Sequence, residues 1–227
     1  MLDGFIMQQQ EIYYKRRLPH YYQSNATIFI TWRLKFSLPG HIMRQLQKQQ
    51  ENFEIKNKQL SDEYRALQKY LQDRKRFNLF DELIAKDTSL PWLLKDPQYA
   101  NIVADALRFY KDSQYNLHCF CIMPNHVHML ITLKESENSH NIFVSKMLYS
   151  IKRYTANQIN KHRGTKGAVW QRESYDHVVR SPEEMGRIIN YILLNPVKAG
   201  LVTDWMDWPY SWIDEMLIER SSCEDGL

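Results

Sequence analysis

Two histidines separated by one residue, His126 and His128, lie in the apolar run Met123-Pro124-Asn125-His126-Val127-His128-Met129-Leu130. A strand repeats every two residues, so both imidazoles leave the same face of a sheet. Neutral imidazole is a common ligand for divalent metals, and two side by side make half of a metal site. The other half should come from a different element. Tyr191 and Asn195, in Tyr191-Ile192-Leu193-Leu194-Asn195-Pro196, are four residues apart and share one face of a helix. A metal held by His126, His128 and Asn195 would polarise a scissile phosphate. The Tyr191 phenol would then attack phosphorus and leave a covalent phosphotyrosine. A free phenol has a pKa of about 10, so the cation must help it at neutral pH. The covalent link keeps the energy of the phosphodiester, and rejoining needs no ATP. The chain has no Walker-type glycine-rich loop. Tyr154 and Gln158 are a rival pair with the same spacing.

The elements that must position these groups follow from pattern. Thr27 to Leu34 is rich in β-branched and aromatic residues and predicts a strand, closed by Leu38-Pro39-Gly40. His41 to Arg76 is polar and free of Gly and Pro. Leu60, Tyr64, Leu67 and Leu71 recur there at helical spacing, which predicts a helical seam in an insertion over 41–90. Asp96-Pro97 opens a helix near Gln98 to Tyr110. Tyr115 to Met123 and His126 to Leu133 form a hairpin through the Pro124-Asn125 turn. Asn141 to His162 is a long basic amphipathic helix, and Ser174 to Val179 a further strand. Ser181-Pro182-Glu183-Glu184 caps a last helix that Pro196 stops. Setting the insertion aside, the order is β-α-β-β-α-β plus a helix. This predicts an α+β, ferredoxin-like (RRM-like) antiparallel sheet with helices packed on it, in one domain spanning 1–227. One sheet face of such a fold is able to serve as an open platform for single-stranded nucleic acid.

Composition narrows the class. The chain has 227 residues, 44% of them hydrophobic, and a net charge of +4. No apolar run is long enough for a membrane span, and the first residues do not read as a signal peptide. Cys119, Cys121 and Cys223 make no zinc pattern, and the first two are expected as core thiols in a reducing cytoplasm. The charge is uneven. Between Asn141 and Arg180 eight Lys or Arg face two carboxylates, while 204–227 is an acidic tail. A basic stretch just after the histidine pair suggests a polyanion partner.

His126-Val127-His128 is a His-hydrophobic-His motif. With Met-Pro-Asn before it and Tyr-Ile-x-x-Asn-Pro-Val-x-Ala-Gly-Leu (191–201) after it, the chain resembles the REP-associated tyrosine transposases, which are insertion-sequence-type transposases with one catalytic tyrosine. Arg17-Leu18-Pro19-His20, Phe29 to Leu34, Lys152 to Ala156, Trp170-Gln171-Arg172, Tyr175 to Arg180 and Trp208-Pro209-Tyr210-Ser211 extend the resemblance, and 41–90 matches least. It implies cleavage and joining of single-stranded DNA through a 5′-phosphotyrosine, with Mg²⁺ or Mn²⁺, at hairpins of REP-like repeats. The matching positions make Tyr191 the nucleophile, in preference to Tyr154, and His126 and His128 the metal ligands. Asn195 stands where insertion-sequence relatives usually carry Gln.

Lys152, Arg153, Arg172 and Arg180 are candidates for phosphate contacts, and Trp170 and Tyr175 for base stacking. Asp176 is a candidate to orient a metal histidine. The expected setting is bacterial, cytoplasmic and nucleoid-associated, with the protein a monomer or homodimer. Two competing functions are a hairpin-binding module without cleavage and a small-substrate metal hydrolase that uses the histidines with an Asp.

Overall fold

A computed structural model describes residues 25–57, 62–134 and 143–217. Arg17-Leu18-Pro19-His20, Leu60, Cys223 and the end of the acidic tail lie outside them. The strands are β1 (Thr27–Arg33), β2 (Tyr115–Ile122), β3 (His126–Leu133), β4 (Tyr175–Val178) and β5 (Ser211–Ile213). The helices are α1 (Gly40–Asn57), α2 (Asp62–Lys86), α3 (Pro97–Phe109), α4 (Phe143–Arg163), α5 (Pro182–Leu193) and the short α6 (Asn195–Lys198). The predicted starts hold. Asp96 accepts from the Gln98 N–H at 2.9 Å, and Ser181 accepts from the Glu184 N–H at 3.2 Å, each with proline in the first turn.

The sheet order is β4-β1-β3-β2-β5, and each pairing between these strands is antiparallel. Its first four strands have the ferredoxin-like order, and α1 and α2 are the insertion after β1. The fifth strand falls in the region that reads as an acidic tail. Ser211–Ile213 pairs with β2, and buried Trp208 donates its indole N–H to the Ile122 carbonyl at 3.0 Å.

Alternation along β1 and β3 divides the interior in two. Ile28, Ile30, Trp32, Val127, Met129 and Ile131 meet α3 and α4 in the larger apolar cluster. Phe29, Leu130, Cys119 and Cys121 face the other way, toward Phe77 of α2 and Ile188 and Ile192 of α5. Both cysteines are buried and free, and burial pushes the Cys121 thiol up to about 12. Each fully buried aliphatic or aromatic side chain contributes about 1.5–3 kcal/mol, so both sides of the sheet are firmly covered. The second face is therefore no open platform. The expected seam of the insertion is also displaced. Tyr64 and Leu71 are exposed, and the residues that pack are Phe77, Phe80, Asp81, Ile84 and Ala85, further along the same helix. They are the ones that meet the sheet and, through Ile42 and Leu46, α1.

Candidate metal centre and nucleophile

His126 and His128 lie on β3 opposite Arg33 and Thr31 of β1, on the face covered by α2 and α5. Both are fully buried, and their rings are 4.7 Å apart. Each ring is held by a bond at Nδ1. His126 Nδ1 is 2.6 Å from Asn125 Oδ1, while the Asn125 amide N–H donates to the Ile84 carbonyl at 2.7 Å. That second bond fixes the amide's orientation, so Oδ1 must accept and His126 carries its proton on Nδ1. His128 Nδ1 is 2.7 Å from the Thr31 hydroxyl. Both Nε2 atoms then turn toward one buried carboxylate. Asp81 of α2 places Oδ1 3.5 Å from His126 Nε2 and Oδ2 3.2 Å from His128 Nε2.

The expected pair arrives from α5 and α6. The Tyr191 hydroxyl donates to Asp81 Oδ2, and its ring is 5.6 Å from that of His128. Asn195 is buried, with Nδ2 3.0 Å from His128 Nε2 and 3.3 Å from Asp81 Oδ2. A half-turn of that amide would present Oδ1 to the same space. Among the described residues, Asp81, His126 and His128 are the group of His, Cys or carboxylate side chains whose ligand atoms all lie within 4.8 Å of one another.

Electrostatics matches this geometry. Burial alone would raise the Asp81 pKa, but His128, His126 and the hydrogen bonds it accepts hold it well below the usual carboxylate range. Burial drives His126 down to about 3, against the pull of Asp81. Burial, then the Asp81 charge, raises the Tyr191 phenol well above its ordinary value.

The remaining candidates are scattered. Tyr154 is 53% exposed on α4, a helix that packs on the opposite sheet face. Trp170 is buried, donates its indole N–H to Thr155 at 2.9 Å and packs edge-on against Trp32. Lys152 turns inward and donates to the carbonyls of Gln171, Arg172 and Glu173 at 3.2–3.4 Å. Burial lowers its pKa to about 8. Arg153, Arg172 and Arg180 are exposed. Tyr175 stacks on Phe77 at 3.9 Å, close to Tyr191. Asp176 pairs with Ile30 and so faces α3 and α4, away from the histidines. The groups that orient the histidines are Asn125 and Thr31. Asp81 is not among the residues singled out by sequence, because one carboxylate in a charged helix has no distinguishing pattern. The one cue was its position in the apolar stretch Phe77 to Ala85.

Residues 96–193 match the family model described as "Transposase IS200 like". The matched segment is less than half of the chain. It includes His126, His128 and Tyr191, whereas Asp81 lies before it and Asn195 just after it. A Haemophilus influenzae protein described among the REP-associated tyrosine transposases is 33% identical over 96 residues, covering 40% of this chain and 54% of that protein. The REP-associated tyrosine transposase of Escherichia coli K12 is 26% identical over 114 residues, covering 50% and 64%. The chain thus spans roughly half to two thirds of the curated relatives it matches. A solved REP-associated tyrosine transposase bound to a REP hairpin aligns over 86% of this chain and 81% of its own, at 18% identity and a TM-score of 0.47. No helix among the described residues is long and apolar enough to cross a membrane.

Proposed function

We propose that the protein cuts and rejoins single-stranded DNA beside hairpins of the REP type, through a phosphotyrosine at Tyr191 and with a bound divalent cation. It would work at bacterial nucleoid DNA. The observation that carries the reading is a mismatch of acceptors. His126 Nε2 and Asp81 Oδ1 are buried 3.5 Å apart, and neither has a hydrogen-bond partner among the described residues. Two buried acceptors facing each other are costly unless a cation or a proton lies between them. The His126 pKa of about 3 argues against a proton at neutral pH. Two imidazoles and a carboxylate suit a divalent first-row metal or Mg²⁺, and Mg²⁺ or Mn²⁺ is the choice consistent with phosphoryl chemistry.

His126, His128 and Asp81 would hold the ion, with Asn195 beside it. The ion supplies Lewis-acid stabilisation of charge on the phosphate oxygens. The chain's own residues do the rest. Asn125 and Thr31 fix the imidazole orientations. Asp81 Oδ2 accepts the phenolic hydrogen bond and so aims the Tyr191 oxygen toward the centre. Attack by that oxygen forms a phosphorus–oxygen bond, releases a 3′-hydroxyl and leaves the 5′-phosphate on tyrosine. A 3′-hydroxyl reverses the step and frees Tyr191. Burial and the Asp81 charge raise the phenol pKa, so the Tyr191 hydroxyl holds its proton at neutral pH.

The test is incubation of the protein with labelled hairpin-bearing single-stranded DNA and Mn²⁺, resolved on denaturing gels. A covalent protein–DNA band that EDTA abolishes is the expected result. Tight binding with no band would favour a hairpin-binding module instead.

A further inference from the structure

The Tyr191 ring also lines a cavity of about 330 Å³ that neither site histidine touches. Its walls come from α2, β1, β4, α5 and α6. The volume lies at the lower end of the range for small-ligand clefts, about 300–1,000 Å³, which suits one nucleotide and not a packed strand. The Phe77–Tyr175 stack forms its apolar side. Asn78 and Asn190 bring exposed amides to it. Arg74 is committed to Glu184 at 3.6 Å. Arg187 and Lys198 are exposed at the same cavity, with Lys198 Nζ 5.3 Å from the centre of the Tyr191 ring. Arg187 stands four residues before Tyr191, on the same face of α5. Cations that track phosphate, an aromatic wall and amides able to pair with a base edge are the chemistry of single-stranded nucleotide recognition.

We propose that this cavity takes the single unpaired nucleotide adjacent to the phosphate that Tyr191 attacks. Lys198 and Arg187 contact its backbone, and Asn78 and Asn190 read its base. The proposal rests on Tyr191 being the nucleophile. It makes α2 a specificity element, although α2 lies outside the segment with IS200-like sequence.

The experiment has two arms. In the first, kcat/KM for covalent adduct formation is measured on hairpin oligonucleotides that differ only at one of the two positions flanking the cut. At one of those positions the wild type should vary by about fivefold or more with the base, the size expected of amide readout. In Asn78→Leu that ratio should collapse toward one, whereas a purely structural defect would lower all four bases equally. In the second, binding of a fluorescent mixed-sequence pentanucleotide is titrated without metal. Arg187→Glu, at an exposed position that does not threaten folding, should weaken it about fivefold or more at low salt and flatten its salt dependence. An unchanged base ratio in Asn78→Leu, or equal pentanucleotide affinity in Arg187→Glu, overturns the proposal. If the wild type forms no adduct at all, the strand-transfer reading fails and the pentanucleotide arm alone decides the cavity.

Discussion

Helices α4 and α5 carry the same local signature, a tyrosine four residues before an amide, and they meet opposite faces of one sheet. On α4, Tyr154 is 53% exposed and that face of the helix looks to solvent. On α5, Tyr191 donates to Asp81, and Asn195 just beyond lies 3.0 Å from His128. Helical spacing brings a phenol and an amide together in both cases. What separates them is the parity of β3. His126 and His128 point to the side of Leu130, so the helices on that side, α5 and α2, reach them and α4 does not. A motif on one element acquires chemistry through the face chosen by another.

The sharpest way to break this contrast is to remove each hydroxyl in turn. Tyr191→Phe should abolish the covalent adduct, a loss of about a thousandfold or more, while Tyr154→Phe should stay within about twofold. Loss of the band in Tyr154→Phe alone would reverse the comparison. Next in size is the carboxylate that only the α5 side receives. Asp81→Asn keeps the shape and removes the charge, and should weaken Mn²⁺ binding by about a hundredfold, read by calorimetry on the apo protein. Affinity equal to wild type would remove Asp81 from the ligand set.

The two sides should also differ in their response to acid. His126 has a folded pKa near 3 against 6.5 for a free histidine. Between those values the unfolded chain binds the extra proton, so stability is full above about pH 6.5 and falls as the pH drops toward 3. In EDTA, the urea-unfolding free energy at pH 5 should lie about 2 kcal/mol below that at pH 7. Asp81, held below its usual range, adds its own loss only at lower pH. A flat profile from pH 7 to 5 would mean that His126 is not buried neutral. The mildest change is Thr31→Val, nearly isosteric, which removes only the partner of His128 Nδ1. It should cost about tenfold in metal affinity and, by leaving a buried ring nitrogen unpaired, lower the thermal midpoint by a few degrees.

Much of this arrangement was legible in the residues. Period-two alternation around His126 and His128, the Asp96 and Ser181 caps and the Tyr191–Asn195 spacing are local signals, and local geometry honours them. Three features escaped because they depend on partners distant in sequence. Asp81 gains its meaning only once α2 lies across the sheet, 45 residues before His126 in the chain. Lys152 and Trp170 carry the composition of a nucleic-acid contact, yet Lys152 is committed to backbone carbonyls and Trp170 to the core. The strand Ser211–Ile213 is three residues long and followed by Asp214-Glu215, too short for a periodic signal.

The side chain of Asn125 has a consequence beyond orienting a ring. One end fixes the proton of His126, and the other holds the Ile84 carbonyl on α2, three residues past Asp81. Ligand geometry and the seating of a 25-residue helix are thereby a single equilibrium. By reciprocity, whatever the cation gains from a seated α2, the helix gains from the cation. Added Mn²⁺ should therefore slow amide hydrogen exchange along the Phe77 to Lys86 turns, far more than along α4. Metal occupancy would then be written into the backbone as well as the active site.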